Sequence, residues 1–312
     1  MPVADYGRVV VTGASGWVGR GAIDLLINEL GESFPDRVVL AATRARHLDT
    51  AVGEVPVIAT PDLMGLVPGP RTLLIHCGFP TQDRVDDMGE QAYLDSVERL
   101  RVAMWYLVQR LGPVDMVYIS SGAATSVAKG EPVAPRTATY GQAKLDDESA
   151  FTELVSGVGG RLCIARAFAL SGPYMTKPET YALGSLILQA HRSGQVAVTA
   201  DRPVRRSYMA IGDMLRVAIH AVGDLPPGGS VRFETAGEVV EVGDLAARTL
   251  ALLGRDPRAV SRPALDGQAP ANDYLGDPSP FEALAVAAGV VPATLDEQIT
   301  ATAQWLVDQD AP

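Results

Sequence analysis

Tyr140-Gly-Gln-Ala-Lys144 sets a phenol and a primary amine four residues apart. On a helix that spacing puts both on one face, one turn apart. A free tyrosine ionises near pH 10, too high for easy proton exchange at neutral pH. A nearby ammonium stabilises the tyrosinate and lowers that value. Tyr140 can then pass a proton to or from a substrate oxygen while a hydride moves at carbon. Lys144 can also bind ribose hydroxyls. Such a pair is common on helix surfaces, and its weight comes from Ser120-Ser121, which close the apolar run Asp115-Met-Val-Tyr-Ile119. If that run is a parallel strand, both serines stand at the sheet edge where ligands bind. A hydroxyl there can hold the substrate oxygen beside Tyr140.

A second constellation lies at the start of the chain. Thr12-Gly-Ala-Ser-Gly-Trp-Val-Gly19 follows the β-branched run Arg8-Val-Val-Val-Thr12 and opens a helical pattern. Gly13, Gly16 and Gly19 suit a tight turn, close backbone approach to a pyrophosphate, and helix-on-strand packing. The helix N-terminus then directs free N–H groups at phosphate oxygens. First strand, first loop and first helix is the setting that dinucleotide binding requires. The expected cradle comprises Thr12, Gly13, Ser15, Gly16, Trp17, Val18 and Gly19.

The turn after the second strand reads Ala41-Ala-Thr-Arg-Ala-Arg-His47. It offers no carboxylate for an adenosine ribose 2′-OH. Thr43, Arg44 and Arg46 instead suit a 2′-phosphate, by charge and by the planar guanidinium fork. The expected cofactor is NADP(H) in preference to NAD(H). Asp62 and Leu63, just after the third strand, are the candidates for adenine contact, although Asp62 also reads as a plain turn aspartate.

The elements that must position these groups follow from patterning. Arg8–Thr12, Arg37–Ala41, Val55–Ala59, Thr72–His76, Asp115–Ile119 and Gly160–Arg166 read as short buried strands. Val18, Ala22, Leu25, Leu26 and Leu30 fall at helix spacing, with Gly31 as a stop. Further helices are expected from about 90 to 111, from near Tyr140 past Phe151, from about 181 to 193 and from about 213 to 222. Alternating strands and helices imply βαβ units, a parallel sheet and right-handed crossovers. The expected fold class is α/β, a Rossmann-type doubly wound sheet with a smaller mixed C-terminal domain. The division is expected near Gly172-Pro173, giving a dinucleotide domain (1–172) and a substrate domain (173–312), with a segment around 207–222 packing back on the first.

Length and composition bound the rest. At roughly 150 residues per domain, 312 residues suggest about two domains. With 26 Lys and Arg against 37 Asp and Glu, the net charge is −11. That argues against duplex nucleic acid and against an anionic membrane as partner. Cys77 and Cys163 cannot form a disulfide framework. His47, His76, His191 and His220 hold no local metal-binding spacing, so no metal site is expected. The N-terminal stretch lacks a basic and apolar leader pattern, and no apolar run approaches a membrane span, so a soluble cytoplasmic protein is the expectation.

Jointly these residues resemble the extended short-chain dehydrogenase/reductase superfamily, the group of NAD-dependent nucleotide-sugar epimerases and dehydratases. The resemblance rests on Thr12 to Gly19, Ile75-His-Cys-Gly78, Ile119-Ser-Ser121, Tyr140 with Lys144, Arg166 leading to Gly172-Pro173, Arg206-Ser-Tyr-Met-Ala-Ile-Gly-Asp213, and Leu295 to Trp305. It implies Tyr140 as acid/base, Lys144 as its ribose-binding partner, and Ser121 before Ser120 as the substrate-oxygen partner. It adds Cys77 and Gly78 to the cofactor set. Arg206 matches a position that meets a nucleotide-sugar pyrophosphate, with Arg202 and Arg205 adding positive potential. A homodimer through the helices near 90–111 and at Tyr140 is also implied.

Departures from the family pattern narrow the reaction. Only 19 positions separate Ser121 from Tyr140, and Gly122-Ala-Ala replaces the expected V-Y-G after the serine. Gly122-Ala123 cannot supply the extra acid/base pair of a 4,6-dehydratase. Ala123 stands where a GDP-fucose-synthase-like enzyme carries cysteine. The leading expectation is an NADP-dependent reductase or dehydrogenase of a nucleotide-sugar. The alternatives are a 4-epimerase holding NAD, a reductase of a non-sugar carbonyl, and a non-catalytic dinucleotide-binding regulator.

Overall fold

The apolar runs become strands because each can be buried on both faces of a parallel sheet. The computed structural model describes residues 2–266 and 268–310. In chain order the first elements are β1 (Arg8–Thr12), α1 (Trp17–Leu30), α2 (Phe34–Arg37), β2 (Val38–Ala42), β3 (Arg46–Thr50), β4 (Gly53–Ala59) and β5 (Thr72–His76). They continue as α3 (Asp83–Met88), α4 (Glu90–Leu111), β6 (Val114–Ser121), α5 (Gly122–Ala128), α6 (Pro135–Gly157), β7 (Arg161–Ala167) and β8 (Ala169–Ser171). Then come α7 (Ala182–Ser193), β9 (Val196–Ala197), β10 (Val204–Ala210), α8 (Ile211–Asp224), β11 (Ser230–Glu234) and β12 (Val239–Glu241). The chain closes with α9 (Val242–Leu252), β13 (Val260–Ser261), β14 (Asn272–Tyr274), α10 (Pro278–Ala288) and α11 (Leu295–Asp310).

Two compact units form, Met1–Ala167 with Leu215–Glu234, and Phe168–Met214 with Thr235–Pro312. The first break lies at Ala167–Phe168, a few residues before the expected Gly172-Pro173, and the return to the first unit spans Leu215–Glu234, where a segment around 207–222 was expected. The reason is β11, which pairs parallel with β7 and extends the first sheet.

The first unit holds an eight-stranded sheet in the order β11-β7-β6-β5-β1-β2-β4-β3. All neighbours are parallel except β3, which runs antiparallel to β4. Strand order reverses between β1 and β5, the switch point where doubly wound sheets bind ligands. Val10, Leu74, Met116, Tyr118, Leu162 and Ile164 pack against Met104, Leu107, Phe151 and Leu154 of α4 and α6. The second unit centres on β12-β10-β14, with β8 also on β10. Its core packs Leu186, Ile187, Leu245, Leu250, Ile299 and Leu306 of α7, α9 and α11.

Two local expectations change. The segment expected as a turn at Arg46 is instead β3, an exposed edge strand whose charged residues leave no apolar alternation to read. The helix expected to open near Tyr140 opens at Pro135, because proline suits the first turn of a helix.

Candidate active site

The glycine loop meets the end of β5 at the switch point. Gly13 has φ +69°, and a Cβ there would stand 2.5 Å from the Gly78 nitrogen. Any side chain is thus excluded by conformation and by space. At Gly19 a Cβ would run into the Gly13 carbonyl, so the helix start is pressed onto the loop. Gly16 is the N-cap of α1, whose first residues are Trp17 and Val18. Ser15 is half-buried in the same loop. The Cys77 N–H donates to the Thr12 carbonyl at 3.1 Å, tying the ends of β1 and β5. Thr12 Oγ1 and His76 Nδ1 are hydrogen-bonded at 2.5 Å. Burial, then the Lys144 charge, lowers the His76 pKa to about 3, so the ring is neutral and structural. Burial pushes the Cys77 thiol up to about 12, which keeps it protonated and unreactive. A cradle in which no Cβ fits beside the backbone suits a pyrophosphate.

Thr43 and Arg44 lie exposed in the turn after β2, and Arg46 is exposed at the start of β3. Thr12, Gly13 and the β2 end share one sheet edge, since β1 pairs β2 through Thr12 and Ala41. The Asp62 carboxylate accepts from the Ala59 N–H at 3.3 Å, which caps the short helical turn after β4. Leu63 is fully buried in the core, so its side chain does not face a ligand; only its backbone is available.

Lys144 of α6 reaches the C-terminal end of β6, where Ser121 closes the strand. Ser121 ends β6 and is the N-cap of α5, its Oγ accepting from the Ala123 N–H at 3.2 Å. Tyr140 and Lys144 lie in α6 one turn apart. At Gly141 a Cβ would stand 2.5 Å from the Ala123 carbonyl, so only glycine lets α6 approach α5 this closely. Lys144 is 2% exposed, and its Nζ donates to the Ile119 carbonyl at 2.8 Å. Burial lowers its pKa to about 7, against the opposing pull of Asp147, Glu148 and Cys77. The Tyr140 ring meets Phe79 edge-on at 5.7 Å.

Ser120 does not join this group, contrary to its expected place as a substrate contact. Successive strand residues point to opposite faces, and Ser120 Oγ donates to Glu148 Oε1 at 2.5 Å in the interior. Glu148 also accepts two hydrogen bonds from Arg166, at 2.9 and 2.7 Å. Arg166 Nη1 donates to Thr125 Oγ1 at 3.1 Å, and the Thr125 hydroxyl donates to Glu234. Beside it, Asp147 accepts from Arg101 at 2.5 Å and from Tyr118 at 3.1 Å. Glu148, Asp147 and Phe79 were missed from the sequence. The signal for the carboxylates was present: both stand within four residues of Lys144, on the helix already suspected.

In the second unit, Arg206 Nη1 donates to the Arg205 and Asn272 carbonyls, both at 2.8 Å. Its guanidinium lies 5.9 Å from the Tyr274 ring centroid, and burial lowers its pKa. The expected support from its neighbours is reduced, because Arg205 is paired to Asp273 at 2.6 Å and Arg202 lies 3.6 Å from Asp201. Among the described residues no group of three His, Cys, Asp or Glu is placed to hold a metal, and no helix is long and apolar enough to cross a membrane.

A mostly parallel sheet with a glycine cradle at its switch point defines a Rossmann-type α/β protein. The model of the NAD dependent epimerase/dehydratase family matches residues 9–232, and the chain belongs to that family. Among solved structures it is similar to UDP-N-acetylglucosamine 4-epimerase from Methanobrevibacter ruminantium M1 in complex with UDP-N-acetylmuramic acid. That match has 16% identity and TM-score 0.70, covering 97% of this chain and 99% of that one. It is similar to MoeE5 in complex with UDP-glucose and NAD at 19% identity and TM-score 0.68, covering 98% and 100%. A double mutant of the dTDP-glucose 4,6-dehydratase DesIV from Streptomyces venezuelae matches at 16% identity and TM-score 0.66, covering 96% and 97%. No curated protein matches the sequence.

Proposed function

We propose that the protein is an NADP(H)-dependent oxidoreductase that reduces a keto group, or oxidises a hydroxyl, on a nucleotide-sugar. The observation that carries this reading is the Lys144–Ile119 hydrogen bond, which brings α6 with Tyr140 to the strand end that Ser121 closes, on the same sheet edge as the Gly13–Gly78 cradle. A bound nicotinamide supplies or accepts the hydride. Thr12 to Gly19 hold its pyrophosphate, and Arg44 and Arg46 hold the 2′-phosphate. Lys144 binds ribose hydroxyls and, when protonated, favours the tyrosinate form of Tyr140. Tyr140 gives a proton to the carbonyl oxygen as it becomes an alkoxide, and Ser121 hydrogen-bonds the same oxygen.

The nucleotide-sugar assignment rests on family membership, on the UDP-glucose and NAD held by one structural relative, and on the partly desolvated Arg206 guanidinium, which suits a diphosphate. Gly122 and Ala123 carry no proton-transfer group, which favours reaction at one carbon over dehydration. The test is a panel of UDP-, GDP-, dTDP- and CDP-sugars read by thermal shift with NADPH present, followed by absorbance at 340 nm. A stabilising sugar that changes absorbance supports the reading. A sugar that is interconverted with no net absorbance change replaces it with an epimerase.

A further inference from the structure

An ammonium carries three donors. In Lys144 one of them goes to the Ile119 carbonyl. Aromatic rings flank the amine. Nζ lies 3.7 Å from the Phe79 centroid and 4.8 Å from that of Tyr118. Ring faces attract cations, so both contacts hold the amine in place. The two walls differ in how they are fixed. Tyr118 is fully buried in β6, and its hydroxyl donates to Asp147. Phe79 is half-buried in irregular chain between β5 and α3. It packs at the rim of a small cluster of Val85, Tyr93, Val97 and Ala143. One wall is set in a core strand, and the other in irregular chain.

We propose that Phe79 is the cover of Lys144. Its ring seals the amine in the free protein, and a ligand hydroxyl reaches Nζ only by displacing the ring. Phe79 is then a positioning residue that sets access to Lys144. The inference deepens the dinucleotide reading above, in which that hydroxyl belongs to a ribose.

The composition makes the test clean, because the chain has three lysines, Lys129, Lys144 and Lys177. Lys129 and Lys177 are exposed. The ligand-free full chain is treated with an amine-reactive succinimidyl ester, and acylation at each lysine is followed by peptide mass spectrometry. In the wild type Lys144 should react at least about tenfold more slowly than the other two. In Phe79→Ala it should approach them, while Phe79→Leu, which keeps the bulk, should retain most of the protection. Thermal melting checks that each variant is folded, and Phe79→Val serves if the alanine variant is not. A fast Lys144 in the wild type overturns the proposal, as does a slow one in the folded small-residue variant.

The second arm is stopped-flow binding of NADPH, where loss of the ring should speed association about fivefold. An equal rate in both proteins overturns displacement by the ligand. If the labelling arm succeeds and neither protein binds NADPH or NADH, the cover stands and the dinucleotide reading falls.

Discussion

Ser120 donates its hydroxyl hydrogen to Glu148 at 2.5 Å, while the hydroxyl of its neighbour Ser121 accepts from the Ala123 N–H and caps α5. Two adjacent serines at one strand end therefore do different work. Ser120 completes the coordination of a carboxylate that is already bridged twice by Arg166 in the interior. Removing the charge from Glu148 leaves a buried guanidinium with only Thr125 and the Glu234 carboxylate 3.6 Å away. Glu148→Gln is expected to cost about 3 kcal/mol or more of stability in urea denaturation. Ser120→Ala is expected to lower stability by about 1 kcal/mol with kcat within about threefold of wild type. A large fall in kcat for Ser120→Ala would return that residue to the reacting group.

Tyr140→Phe removes one hydroxyl and keeps the ring that meets Phe79. Turnover should fall by about 10²–10⁴-fold, with the Kd for NADPH nearly unchanged. Steady-state kinetics and calorimetry on the same preparation separate the two effects, and retained turnover would remove Tyr140 from the chemistry.

The buried Lys144 should leave a signature in stability against pH. Unfolded, it ionises near 10.5, and burial lowers this to about 7 in the folded protein. Between those values the unfolded chain binds the extra proton, so this group makes stability rise with pH. Below about 7 both states carry the charge, and the whole penalty of burying it remains. Lys144→Met lacks the penalty. Its stability advantage over the wild type should be largest at about pH 6 and shrink towards pH 10.5, by up to about 1.4 kcal/mol per pH unit. Urea denaturation of both proteins across that window measures it, and a difference independent of pH would contradict the assignment.

Helix α4 carries Leu94, Val102, Trp105 and Tyr106 exposed, the last two at 47% and 56%. Apolar residues grouped this way on one helix suit a second copy of the chain, the homodimer that the family resemblance implies. Trp105→Asp with Tyr106→Asp should convert a dimer to a monomer in light scattering with the fold retained by circular dichroism. A wild-type monomer would dispose of the dimer.

Much of this arrangement was legible in the residues. β1 and β5 have the limits read from Arg8–Thr12 and Thr72–His76, because runs buried on both faces show themselves as unbroken apolar segments. α4 likewise has the limits expected from its 90–111 pattern, since glycine stands at both ends. β3 was not legible, because an edge strand has little buried surface and so no pattern. The facing of Ser120 was not legible either. It depends on which residue of the strand end meets α6, and a one-residue change of facing exchanges the two serines. The charge network escaped for a related reason: Glu148, Arg166 and Glu234 are far apart in sequence and meet only once α6 and β11 both lie against β7. Arg205 shows the limit of reading charge by neighbourhood, since its partner Asp273 arrives on β14.

In the proposed reading the cradle takes NADP(H), with Arg44 and Arg46 recognising the 2′-phosphate. Titration calorimetry of the wild type and of Arg44→Ala/Arg46→Ala with NADPH and with NADH tests it most directly. The wild type should bind NADPH at least about tenfold more tightly than NADH, and the double variant should lose this preference through weaker NADPH binding alone. Tighter binding of NADH by the wild type, or binding of neither dinucleotide, would contradict it.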